Sequence, residues 1–216
     1  AAEARKGGAE KAEKKLERYM ESLRIKKMRY GDEHAEVATT LMKIANMHAK
    51  HGNLEGALAM HKESLRIVTM RLGDNHTDVA GTLMNISNVL FQLRRREEAL
   101  AGYEQALRIC ENKKLGDHAL VGTLEMNIGN VHFRQGNNEK ALEHLEKALA
   151  IQRKAAGAKS PEVADVEYRM ARVYKQKGLD ERAKLLFDSS AKIYAKKLGF
   201  KNAKTQRSIQ DSNMIC

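Results

Sequence analysis

Residues 72–88 read LGDNHTDVAGTLMNISN, and elements of this stretch return at an interval of 42 residues along the chain. Its valine, Val79, has counterparts at Val37, Val121 and Val163. Three more columns run through four repeats: Glu55/Glu97/Glu139/Glu181, Ala57/Ala99/Ala141/Ala183 and Ile67/Ile109/Ile151/Ile193. A period of about 20–50 residues is typical of a solenoid, in which each repeat stacks on its neighbours. We therefore expect a stacked array whose function lies on a surface rather than in an enclosed pocket.

Each repeat is predicted to be a pair of helices. Val37, Leu41 and Ile44 recur at the spacing of one helix face, which predicts a first helix, helix A. Gly52 interrupts the pattern, and a second periodic run predicts helix B, which ends at Leu72-Gly73. The glycine there is expected to take a left-handed conformation after the helix.

The start of each helix A is marked by a column of capping residues, His34/His76/His118/Ser160. Ser160-Pro161-Glu162 has the pattern of an N-cap, a proline at the first helical position and a first-turn acid. The three histidines are therefore expected at or near N-caps. A metal-binding role is the alternative, although no cysteine or close carboxylate cage accompanies them.

The expected organisation is a polar basic segment at 1–12, an isolated helix B at 13–31, repeats at 32–73, 74–115, 116–157 and 158–199, and a basic tail or cap at 200–216. Nine helices are expected, with 202–212 forming a frayed polar end because it lacks an apolar face. Ala99 and Ala141 should be almost fully buried where the helices cross.

Charge is concentrated at the ends of the sequence. The formal net charge is +11, of which 1–31 and 192–216 carry +5 each. Basic ends suit anionic partners, including nucleic acid, although solubilising ends are the simpler interpretation. No apolar run is long enough for a membrane span. Two cysteines, Cys110 and Cys216, do not make a disulfide framework, and the polar start is unlike a secretory signal. The expected location is cytoplasmic, or within a cytoskeletal or organellar assembly.

The repeats resemble the tetratricopeptide repeat over roughly residues 13–200, and residues 72–88 are similar to the 42-residue, kinesin light chain-like type. Small residues stand where paired helices cross in that family, as in the columns Ala45/Ser87/Gly129/Ala171 and Ser64/Ala106/Ala148/Ser190. The aromatic position after the alanine column holds His61, Tyr103, Leu145 and Phe187. The resemblance implies an all-α, right-handed superhelical solenoid of antiparallel helix pairs, with helix A lining the inner wall.

The inner wall implied by the resemblance carries an asparagine ladder beside basic and aromatic side chains. A side-chain amide can pair with the N–H and C=O groups of an extended peptide. The alternative is that these amides bond neighbouring helices in the stack. The candidate peptide-binding residues are Lys43, Asn46, Lys50, Asn85, Asn88, Phe91, Asn127, Asn130, Phe133, Arg134, Arg169, Arg172 and Lys175. Only Asp165 opposes the positive charge of this wall.

Chaperone-binding members of the family hold a C-terminal carboxylate in a clamp of lysines, asparagines and an arginine. Asn88, Asn127 and Arg169 fall in compatible columns, whereas Met84 and Asp165 stand where the two lysines would be. We expect Asp165 to repel a terminal carboxylate, which argues against chaperone-tail binding.

The expected function is a non-enzymatic scaffold or adaptor that binds an extended acidic peptide or protein segment. No phosphate-binding glycine loop, nucleophile motif or metal-ligand spacing is found in the sequence, so no catalytic residue, cofactor or metal is predicted. The alternative is an architectural subunit of a large assembly, which would use its convex face and basic termini, with nucleic-acid contact as a less favoured possibility.

Overall fold

The structure is a computed structural model that describes residues 2–116 and 118–215, with side chains described from residue 13 onward. The described residues form ten α-helices and no strand. They are α1 (Ala2–Tyr30), α2 (Ala35–Lys50), α3 (Leu54–Leu72), α4 (Thr77–Gln92), α5 (Arg96–Asn112), α6 (Ala119–Arg134), α7 (Asn138–Ala156), α8 (Pro161–Gln176), α9 (Asp180–Leu198) and α10 (Ala203–Asn213). Helices α2 to α9 alternate as helix A and helix B, which confirms the predicted all-α class.

The chain divides into two compact units, Ala1–Ile109 (unit 1) and Cys110–Cys216 (unit 2), and α5 crosses the boundary. In unit 1, Leu23 of α1 and Ile67 of α3 share a buried cluster with Val37, Leu41 and Ile44 of α2. In unit 2, a corresponding cluster joins α7 and α8, and a second lies between α8, α9 and Ile215. Each unit therefore has its own core.

A side-chain cap begins each helix A of the four repeats, as predicted. The imidazole Nδ1 accepts a backbone N–H in three of them, and the capping pairs are His34 with Glu36 (3.2 Å), His76 with Asp78 (3.1 Å), His118 with Leu120 (3.1 Å) and the Ser160 hydroxyl with Val163 (3.2 Å). In each of the three, the ring nitrogen Nδ1 takes the place of the side-chain oxygen that usually caps a helix. The caps satisfy a backbone donor that a helix start leaves open.

The ends of the B helices differ in one detail from the prediction. Gly73 has φ 81° and ψ 159°, and Gly157 and Gly199 have nearly the same values. The positive φ was expected, but the extended ψ lies outside the left-handed helical region and within a region reserved for glycine. The turn still caps α3, because the N–H of Gly73 donates to the carbonyl oxygen of Thr69 at 2.8 Å.

The turn between helix A and helix B requires a positive φ in every repeat. Gly52, Gly136 and Gly178 adopt φ values of 81°, 84° and 71° there, and Arg94 of the second repeat adopts 63°. A side chain in this region costs about 1–2 kcal/mol of local strain. No atom lies within 4 Å of a Cβ built on Gly136, so this turn has room for a side chain. The arginine turn and the glycine turns therefore differ in backbone strain and not in steric crowding.

The substitution Arg94→Gly should therefore raise the free energy of unfolding by about 0.5–1 kcal/mol, since relief of strain exceeds the added freedom of the unfolded chain. The reciprocal change, Gly136→Arg, should lower it by about the same amount. Chemical denaturation of both variants beside the parent measures the two shifts. A loss of stability in Arg94→Gly would show that its side chain makes contacts that outweigh the strain.

The small-residue columns mark close helix crossings. Ala57, Ala99, Ala141 and Ala183 have 0% exposed surface, which confirms the expectation for Ala99 and Ala141. At the α6–α7 crossing, a Cβ built on Gly129 would lie 3.0 Å from the carbonyl oxygen of Ala141. The two helices therefore approach closely enough that these positions admit only small side chains.

The first helix starts earlier than expected. Residues 2–12, which we expected as a separate segment before a helix at 13, belong to α1. Alanine, glutamate and lysine favour helix strongly enough to outweigh Gly7 and Gly8, which cost about 1 kcal/mol each. The side chains of residues 1–12 lie outside the described part of the structure, as does Cys216, while Cys110 is buried as a free thiol.

The C-terminal segment is a helix rather than the frayed end that we expected. Helix α10 packs on α9 through hydroxyl side chains: Thr205, Ser208 and Ser212 are buried. The hydroxyls of Ser208 and Ser190 lie 2.6 Å apart, and Ser212 donates to Asp188 at 2.7 Å. A search for apolar periodicity misses this face because its buried atoms are held by hydrogen bonds.

Two buried carboxylates in unit 2 occupy a helix-A column that holds leucine in unit 1. Glu125 and Glu167 are 8% and 4% exposed, and each has a partner. Glu125 lies 2.6 Å from Nδ1 of His144, and Glu167 pairs with Arg153 at 3.2 Å while accepting from Ser189 at 2.6 Å. A buried carboxylate is tolerated only with such partners. Each of these helix contacts therefore depends on the particular residue that pairs with the carboxylate.

Candidate peptide-binding surface

The candidate residues of unit 1 lie on the two A helices, α2 and α4. Exposed side chains on α2 are Lys43, Asn46 and Lys50, and half-buried side chains on α4 are Asn85, Asn88 and Phe91. Asn88 accepts a hydrogen bond from the hydroxyl of Tyr103 on α5 at 2.6 Å. The Asn88 amide thus takes part in helix packing, which is the alternative role that the sequence left open. Asn46 has no hydrogen-bond partner among the described residues.

The candidate residues of unit 2 lie on α6 and α8. Half-buried side chains are Asn127, Asn130, Phe133, Arg169 and Arg172, and exposed side chains are Arg134 and Lys175. The Asn130 amide has no hydrogen-bond partner within the described part of the chain. Its donors and acceptor remain available to a ligand.

Arg172 and Phe133 bring α6 and α8 together on this face of unit 2. The guanidinium of Arg172 lies 5.0 Å from the centre of the Phe133 ring, a cation–π contact. Phe133 also packs against the cluster of Val166, Met170 and Val173, so its ring belongs partly to the core. Burial lowers the pKa of Arg172, and the nearby positive charges of Arg134, Arg207 and Arg169 lower it further. The guanidinium is therefore held in an electropositive environment that a bound anion would stabilise.

Asp165, which we expected to repel an incoming carboxylate, has partners of its own within unit 2. Its two carboxylate oxygens accept from Lys204 at 2.6 and 2.8 Å, and one also accepts from the hydroxyl of Tyr194 at 2.6 Å. The carboxylate is thus paired within unit 2, and the expectation that it repels an incoming anion is weakened. Its bonds to Lys204 hold α10 against α8.

Helix α10 adds basic side chains to this face that the sequence analysis did not include. Lys204 contacts Asp165, and the guanidinium of Arg207 lies 5.8 Å from the Tyr168 ring centre. A signal was present in the sequence: continuing the columns by 42 residues places Arg207 after Asp165 and Asp211 after Arg169. Residues 202–212 lack an apolar face, and we therefore expected a frayed end there rather than another helix A.

The described residues contain no group of three or more His, Cys, Asp or Glu side chains that could hold a metal ion. None of the described helices is long and apolar enough to cross a membrane.

Comparison with known proteins identifies the fold. The sequence model of the tetratricopeptide repeat family matches residues 36–112 and 120–196, which is more than half of the chain. Comparison with curated proteins gives no match.

Solved structures agree with this assignment. BtubC (BKLC) from P. vanneervenii superposes with a TM-score of 0.71 at 17% identity, covering 95% of this chain and 90% of that one. Two crystal structures of a Podosopora anserina protein, described as a kinesin light chain with nearly identical TPR-like repeats, give TM-scores of 0.71 and 0.68 at 18% identity, covering 90% of this chain and 92% of theirs. The repeats are thus kinesin light chain-like in fold, and the chain belongs to the tetratricopeptide repeat family.

Proposed function

We propose that this protein is a non-enzymatic scaffold that binds an extended acidic segment of a partner on its helix-A surfaces. The observation that carries the proposal is the environment of Arg172 in unit 2. Its half-buried guanidinium rests on Phe133 and is surrounded by further arginines. An acidic side chain placed there would relieve the repulsion among these cations and form charge-assisted hydrogen bonds.

The neighbouring residues suit an extended peptide backbone. Asn130 lies on α6, the same helix as Phe133 and Arg134, and its side chain is partly accessible. An amide in that position can donate to a peptide carbonyl and accept from a peptide N–H. In unit 1, Lys43, Asn46 and Lys50 offer similar chemistry on α2, whereas Asn88 is already bonded to Tyr103. We therefore assign the main contacts to Asn130, Arg134 and Arg172.

Selection from a random peptide library displayed on phage tests the preference for acid. Enriched peptides should carry acidic residues, and their binding should weaken as salt rises because charge contributes to affinity. Enrichment of neutral or basic peptides would contradict the proposal. Binding of nucleic acid through the basic termini would instead favour the architectural alternative.

Substitutions in unit 2 then test the location. Asn130→Ala should cost about 0.5–1.5 kcal/mol for each lost hydrogen bond to an enriched peptide. Arg134→Gln should weaken binding and flatten its salt dependence. Lys184→Gln is the matched control, because it removes a positive charge from the exposed surface of α9, a helix B. Fluorescence anisotropy measures all three, and unchanged affinity in Asn130→Ala and Arg134→Gln would place the site elsewhere, with the surfaces of the B helices as the next candidate.

A further inference from the structure

A cavity of about 210 Å³ lies in unit 2 where α8, α9 and α10 meet. We call it the α10 pocket. Its basic lining residues are Arg169 and Arg172 from α8 and Lys204 and Arg207 from α10. Four cations around one small cavity repel one another, so the pocket favours an anionic ligand.

The acidic groups near the α10 pocket are already engaged. Asp165, the one carboxylate of the lining, bonds to Lys204 and Tyr194. Asp211, close by on α10, accepts a hydrogen bond from the hydroxyl of Tyr168. Two carboxylates against four cations leave the pocket with a positive excess.

Two guanidinium groups of the α10 pocket are oriented by aromatic rings rather than by carboxylates. Arg172 lies over Phe133 and Arg207 lies over Tyr168. Neither forms an ion pair with a described carboxylate. A guanidinium stacked on a ring keeps the N–H groups of its edge available, and these donors match the oxygens of a phosphate.

We propose that the α10 pocket binds a phosphate ester, so that the segment recognised by this protein is a phosphorylated peptide. The proposal rests on the peptide-binding function argued above and names the chemistry of one contact. A phosphate monoester carries about −1.5 to −2 charge at pH 7 and three acceptor oxygens. It therefore offsets the excess of the four cations over Asp165 and Asp211 more completely than the single charge of a glutamate or a terminal carboxylate does.

Small blocked amino acids separate the possible anions. N-acetyl-O-phosphoserine N-methylamide, N-acetylglutamate N-methylamide and N-acetylglycine are titrated into the ¹⁵N-labelled chain and followed by amide NMR shifts. The phosphoserine probe should bind on the order of tenfold more tightly than either carboxylate, with shifts that map to α8 and α10. Its binding should also weaken as pH falls through about 6, where the phosphate takes up its second proton.

Arg207→Gln tests the pocket itself, and Arg182→Gln is its matched control. Arg182 is an exposed arginine over the Tyr174 ring at 5.8 Å and does not line the pocket. Arg207→Gln should weaken phosphoserine binding by on the order of tenfold, and Arg182→Gln should leave it unchanged. Equal affinity for phosphoserine and glutamate, shifts that map elsewhere, or an unchanged Arg207→Gln variant would overturn the proposal.

The result also distinguishes this inference from the proposed function. Acidic peptides that bind through Asn130 and Arg134 with no preference for phosphate would leave the scaffold function standing and refute the phosphate site. Loss of both kinds of binding would refute both.

Discussion

Replacing Ala141 by leucine should lower the free energy of unfolding by about 1–3 kcal/mol. Ala141 is fully buried at the crossing of α6 and α7, where its carbonyl oxygen approaches Gly129 and where Leu145 and Ala148 fill the same cluster. Three added carbon atoms have no space there, so they must force the helices apart or adopt strained rotamers.

Thermal and urea denaturation measure the loss, and Lys140→Leu provides the control. Lys140 precedes Ala141 on α7 but is exposed, so leucine there should change stability by no more than about 0.5 kcal/mol. Equal stability of the two variants would mean that the alanine column does not mark the helix crossing.

Acidification from pH 6.5 to 4 should destabilise the protein through His61. Burial lowers the pKa of His61 to about 4, against a reference value of 6.5, and the side chain is 1% exposed with no partner for Nδ1 in the described structure. Between these two pH values the unfolded chain takes up a proton that the folded chain excludes. Stability from this group is therefore complete above pH 6.5 and is lost as pH falls toward 4, by about 2–3 kcal/mol.

Other groups also titrate in this range, so the informative quantity is the difference between variants. His61→Leu places at this position the residue type that Leu145 supplies in the third repeat, where it is fully buried. This variant should lose the His61 part of the pH dependence. His51→Leu changes an exposed histidine and leaves His61 in place. Its stability should therefore depend on pH in the same way as that of the parent chain. If the free energy of unfolding fell with pH in the same way for the parent and for His61→Leu, His61 would not be the source of the pH dependence.

The sequence predicts most of the fold because its repeats bury the same small and apolar positions each time. The columns of Val37 and Ala57 identified both helices of a repeat, and the His34 column located the helix starts. The prediction stopped before α10 because that helix packs through Thr205, Ser208 and Ser212, whose buried contacts are hydrogen bonds. Hydrophobic periodicity carries no information about such a face.

The candidate site was less predictable, because its electrostatics depend on contacts between residues far apart in the chain. The effect of Asp165 could not be inferred without Lys204, which lies on a helix that the sequence analysis did not predict. The Asn88 position suggested a peptide contact, but only the structure shows its bond to Tyr103. The stacking of Arg172 on Phe133 was not predicted either, because it joins residues from different columns in two different repeats.

The buried carboxylate Glu167 has a consequence for how this array can change during evolution. It joins α8 to Arg153 on the preceding repeat, so the junction requires a basic partner at that position. The residues that occupy the same column elsewhere are Thr69, Glu111 and Ala195. A gene duplication or recombination that placed the Glu111-bearing repeat before α8 would set one carboxylate against another. At this junction, therefore, the repeat that precedes α8 cannot be exchanged for the Glu111-bearing one without loss of an ion pair.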